Sequence, residues 1–157
     1  MTDQGGDRLT QDQLRGIGQV TVNFNYLEGI IGLLIYIFSG LETQKMAQAF
    51  TSKLSFRYKL DLLEALVVER GPTPDQFRGI NLLIRKADRY NSRRNELIHS
   101  TWMASDDPKK ALRMKGKLKH GYKVVVEEMD VYELERFARL LDRLSEDFIK
   151  FQWKMYP

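Results

Sequence analysis

The sequence predicts a mostly helical protein, a bundle of roughly four to five helices with a β-hairpin inserted before the last one. Apolar residues recur at helical spacing over most of the chain, and polar start signals stand where the helices should begin. Between about residues 111 and 128 the pattern switches to strict alternation, as a strand requires. At 157 residues, with 43% hydrophobic and 29% charged side chains, the composition is that of one folded domain. Residues 1–9 read as a flexible N-terminal segment and residues 10–157 as that domain.

The first helix is expected from Thr10, where Thr10 and Gln13 form a capping box. Ile17, Val20, Phe24, Leu27, Ile31, Leu34, Ile35 and Phe38 then draw one apolar face. In the second half Ile30, Leu33, Tyr36 and Ile37 fill the opposite side. A helix apolar all round must be covered all round, which a small bundle or a subunit interface would achieve. The apolar run from Gly29 to Gly40 is shorter than the about 20 residues a membrane span needs, so no membrane partner is expected.

Gly40 ends that helix, and short helical stretches follow at Glu42 to Phe50 and Ser52 to Arg70, stopped by Gly71 and Pro72. Thr73, Pro74 and Gln76 supply an N-cap, a proline at the first helical position and a capping-box partner for a long helix expected to reach about Trp102. In the hairpin Leu112, Met114 and Leu118 interleave with Arg113, Lys115, Lys117 and Lys119. Asp130 and Glu133 then open a last helix with the stripe Leu134, Phe137, Leu141, Leu144, Phe148 and Phe151.

The absence of cysteine excludes a disulfide framework, Cys-ligated zinc and a thiol nucleophile, and agrees with a cytoplasmic location. The polar start is not a secretory signal. A net charge of +4 permits an acidic partner without requiring one.

The chemistry concentrates late in the fourth helix. At about 100° per residue, Phe77, Ile80, Leu83, Ile84, Ala87, Ile98 and Trp102 share a face, and Arg94 falls near its middle. Arg85, Lys86, Arg89 and Arg93 point away from it. A guanidinium directed toward burial needs a partner, an interface or a ligand. Asn91 lies on the same face, and Asn95 and His99 line up at its edge. From the residues alone two readings stand: a polar pocket beside an apolar seam, or Arg94 paired with Glu28 of the first helix and His99 as a hydrogen-bonded helix-end histidine.

The segment Arg94-Asn95-Glu96-Leu97-Ile98-His99 resembles the Arg-polar-x3-His signature of the HEPN superfamily, small helical domains of defence, toxin-antitoxin and RNA-processing systems. The resemblance implies a HEPN-like bundle, a homodimer that brings two motifs into one cleft, and RNA cleavage without a metal or cofactor. Arg94 would hold the scissile phosphate, His99 would move protons and Asn95 would orient imidazole or phosphate. An antitoxin or other regulatory protein is the further partner the family suggests. The other reading under the same resemblance is a non-catalytic module that binds RNA, nucleotide or protein. Arg113, Lys115, Lys117 and Lys119, on one side of a strand, are expected either to track an RNA backbone or to protect an exposed edge. Tyr122 could stack on a base, and His120 has no assigned role.

Overall fold

The computed structural model describes residues 8–117 and 123–156. Among them are five helices and three strands, in the order α1 (Gln11–Ser39), α2 (Gln44–Thr51), α3 (Phe56–Glu69), α4 (Pro74–Ile98), β1 (Thr101–Ala104), β2 (Lys110–Lys117), β3 (Lys123–Asp130) and α5 (Val131–Met155).

The helix starts follow from side chains that satisfy the free amides of a first turn. Thr10 N donates to Gln13 Oε1 at 2.7 Å and Gln13 N to Thr10 Oγ1 at 3.3 Å, the expected capping box. Thr73 and Gln76 repeat it at 2.8 and 3.3 Å ahead of Pro74. At α5 the Asp130 carboxylate accepts from Tyr132 N at 2.7 Å. The ends are equally local in origin. Gly40 and Gly71 take φ of +70° and +64°, the left-handed conformation that closes α1 and α3. Beyond α1, Arg70 donates through Nε and Nη2 to the carbonyl of Phe38, a C-terminal acceptor that the helix itself cannot satisfy.

The chain forms two compact units. One comprises Phe24–Ser92 and Leu141–Pro157, and among its described residues it contains helices and their connections but no strand. Its core includes Leu27, Ile31, Leu34, Leu60, Leu63, Ile80 and Phe148, each at most 1% exposed, with Phe24 and Phe56 in ring contact at 4.7 Å. Ile30 is buried here and Leu33, Tyr36 and Ile37 are half-buried, so the chain itself covers much of the apolar second half of α1. By length and composition alone α1 could cross a membrane, with a window of mean hydropathy 1.4 of which 39% is buried within the chain.

The other unit comprises Met1–Asn23 and Arg93–Leu140. It contains a three-stranded antiparallel sheet in the order β1-β2-β3. Two expectations are corrected here. The long fourth helix stops at Ile98 rather than near Trp102, because Thr101–Ala104 pairs with Met114 to Ala111 of β2 and becomes a strand. Trp102 is therefore a strand residue, and its Nε1 donates to the Leu97 carbonyl at 2.9 Å, satisfying an acceptor of the last helical turn. The hairpin is accordingly the larger part of a sheet in which β2 is central and not an edge. Gln13 fastens the start of α1 to this sheet: its buried side chain donates to Lys110 O at 2.5 Å while its oxygen accepts from Thr10. Leu97, Leu134 and Phe137, each at most 2% exposed, are the bulk of the apolar core here.

Candidate functional site

The end of α4 carries Arg94 and Asn95, and His99 follows it directly. Arg94 is half-buried and its Nη1 donates to Asn95 Oδ1 at 3.0 Å, so the two side chains form one polar group. His99, the first residue beyond the helix, donates its backbone amide to Asn95 O at 3.0 Å, and its imidazole is exposed. Ser100 Oγ and Trp102 Nε1 take the next two carbonyls, of Glu96 and Leu97. This fixes the backbone on both sides of His99. Buried Leu97 anchors the turn, leaving a guanidinium, an amide and an accessible imidazole within six residues of chain.

The basic row of β2 stands differently from a solvated strand. Cross-strand pairs share a face, and Ala111, opposite Met129, and Arg113, opposite Glu127, lie on the buried side of the sheet. The Arg113 side chain is only 7% exposed; its Nη2 bonds Glu127, and its Nη1 lies 3.7 Å from Glu96. Lys115 is 3.3 Å from Glu96 and 3.8 Å from Glu127. Two cations and two carboxylates thus form one balanced network, and Glu96 belongs to the same six-residue segment as Arg94 and His99. The opposite face of the sheet presents Met103, Val124 and Val126, 40%, 51% and 52% exposed. The alternation seen in the sequence is therefore real, but its cationic side turns inward. Lys117 closes β2, while Lys119, His120 and Tyr122 lie outside the described residues.

Glu28 and Asn91 belong to the helical unit. Glu28 accepts from Lys59 Nζ at 2.6 Å, an ion pair in which Lys59 is 14% exposed. Asn91 is half-buried on α4. Among the described residues no group of three or more His, Asp or Glu side chains is arranged to hold a metal.

Sequence reasoning placed Arg93 on the solvated side of α4, and it is exposed, but its guanidinium lies 4.6 Å from the centroid of the buried Phe137 ring. Arg93, Glu133, Arg136, Phe137 and Leu140 line a pocket of about 210 Å³. The signal available in the sequence was an arginine next to the motif and the Glu133/Arg136 spacing on α5, neither of which identifies a pocket alone.

Comparison with protein-family models, with curated proteins and with solved structures returned no match, so the assignment of this site rests on its own geometry and on the motif.

Proposed function

We propose that the chain is a metal-independent endoribonuclease of HEPN type, acting as a cytoplasmic homodimer on RNA, in the role of a toxin or phage-defence effector held in check by an antitoxin or other regulatory protein. The observation that carries this reading is the end of α4, where the Arg94–Asn95 pair is followed by an exposed His99 whose backbone amide bonds Asn95 O. Arg94 offers a planar, permanently charged set of donors to the scissile phosphate and to the charge that develops on it. Asn95 holds that guanidinium in place through the 3.0 Å bond.

In the reaction the 2′-oxygen attacks phosphorus as its proton passes to a neutral imidazole. The P–O5′ bond breaks as a protonated imidazole delivers a proton to the leaving oxygen. The products are a 2′,3′-cyclic phosphate and a 5′-hydroxyl. The two proton transfers need two histidines, which a symmetric pair of His99 side chains provides.

One observation favours the second reading, a non-catalytic module of the same family that binds RNA, nucleotide or protein. Within the motif Arg94 is bonded to Asn95 and Glu96 to Lys115, contacts a purely structural motif would also make. The test uses purified protein in EDTA with end-labelled single-stranded RNA, an all-deoxy control, and the variants His99→Ala and Arg94→Ala. The nuclease reading expects cyclic-phosphate products from the wild type alone, with at least about a 100-fold loss in each variant, the scale of general acid–base and electrostatic terms. Cleavage surviving in both variants overturns the site, and intact RNA with the wild type favours the binding module.

A further inference from the structure

Arg113 and Lys115 of the strand expected to follow an RNA backbone carry their own counter-charges, which leaves open where a phosphate would be received. The face of α5 that meets Arg93 answers differently. Arg93 and Arg136 are both exposed, and both line the pocket of about 210 Å³. Among the described residues neither forms an ion pair. What holds Arg93 is the Phe137 ring, 4.6 Å from its guanidinium carbon. A ring face restrains a guanidinium by its quadrupole without cancelling the charge, whereas a carboxylate restrains and neutralises together.

Pockets that bury a drug-sized ligand run to roughly 300–1,000 Å³. This one is smaller, lined by the apolar Phe137 and Leu140, the two arginines and Glu133. It suits a phosphate-sized anion whose remainder extends outside. Glu133, the one acid in the lining, limits the charge and sets a preference for a strong, multiply bonded anion over a weak one.

We infer that this pocket is a phosphate subsite for a ribonucleotide, free or within an RNA chain, with Arg93 and Arg136 as its ligands. The assignment rests on the reading of the chain as acting on RNA. Arg93 adjoins Arg94 in the sequence, about 100° round the helix from it, so the pocket and the motif share one stretch of α4.

The experiment measures binding in the His99→Ala background, which separates it from cleavage. Probes are a fluorescent single-stranded RNA dodecamer, adenosine 5′-monophosphate, inorganic phosphate and polyglutamate of matched charge. Arg93→Gln with Arg136→Gln should weaken RNA binding by about tenfold or more and reduce the salt slope by about 0.7, the value for one phosphate contact on a single strand. Lysine at both positions should restore most of the affinity, which rules out a folding artefact, and Glu133→Gln should tighten binding severalfold. Dependence on both arginines seen with the mononucleotide as strongly as with RNA assigns the free nucleotide as source; dependence seen with RNA alone assigns the chain. Unchanged affinity and slope in the double Gln variant overturn the inference, as does equal affinity for polyglutamate, which would indicate an acidic polypeptide. RNA binding that needs both arginines, in a protein that cleaves nothing, upholds the subsite and refutes the nuclease. Normal cleavage with binding indifferent to both arginines does the reverse.

Discussion

Replacing Gly29 and Gly32 by alanine together asks whether α1 is approached from outside the chain. A glycine within a helix costs roughly 0.5–1 kcal/mol relative to alanine because it loses more backbone freedom on folding. A Cβ built on either residue meets no atom within 4 Å, so nothing in the chain opposes the added methyl. The pair should therefore gain about 1–2 kcal/mol, which for a protein of this length corresponds to a rise in melting temperature of about 2–8 °C. Gly16→Ala is the internal contrast. Its Cβ would stand 3.1 Å from Leu134 Cβ, an atom fixed by the α5 backbone that cannot rotate aside. Overpacking of about 1–3 kcal/mol then outweighs the propensity gain. The assay is thermal and urea unfolding at two protein concentrations, with the mass in solution followed by light scattering. A fall in stability of the Gly29→Ala, Gly32→Ala protein refutes the reasoning, and a simultaneous fall in the mass in solution would place a second copy against Gly29 and Gly32.

Glu127→Ala removes the carboxylate bonded to Arg113, whose side chain is 7% exposed, and should cost about 2 kcal/mol. That is less than the about 3–5 kcal/mol of a fully buried pair, because Glu127 is 41% exposed and Glu96 remains beside the guanidinium. Arg113→Met should cost less, since Glu127 can return to water; equal losses in urea denaturation contradict this ordering. The Lys110 ammonium is raised above its usual 10.5, first by its hydrogen bond to Glu128 and then by the charges of Glu128, Asp107 and Asp130. A raised folded value means that its contribution is complete below about pH 10.5 and lost as pH climbs through the folded value. The difference in urea midpoint between the wild type and Lys110→Met should shrink from pH 9.5 to pH 12 on the order of the alkaline titration; a constant difference refutes the assignment.

What could be read from the sequence was whatever a few adjacent residues determine. The Thr10/Gln13 and Thr73/Gln76 boxes stand where expected because each is closed by atoms three residues apart. The end of α4 was not legible. Ile98 and Trp102 continue the apolar spacing of the helix, and only the pairing of β1 with β2 turns Thr101–Ala104 into a strand. Within the site, the succession Arg94, Asn95, His99 was available as helix arithmetic. The Arg94–Asn95 bond and the carbonyl taken by Trp102 are choices of rotamer and chain path that arithmetic leaves open.

Charge shows the same limit, with a consequence for function. Residues 109 to 123 contain lysines and arginine without an acid, so along the chain they read as a cationic stretch. Antiparallel pairing sets Glu127 opposite Arg113, and the end of α4 brings Glu96 to both Arg113 and Lys115. Alternation specifies which side chains share a face, and says nothing about which face turns inward. Arg93 presents the opposite case: in a cluster of surface cations it has no distinction by sequence, yet Phe137, 44 positions away in the numbering, restrains it with its charge intact. An anion is attracted by charge that remains after neighbouring carboxylates are counted, and among the described residues Arg93 and Arg136 form no ion pair that a phosphate would have to displace. Arg113 would first have to give up Glu127, and that exchange would also loosen the sheet that holds Glu96 beside the Arg94–His99 turn.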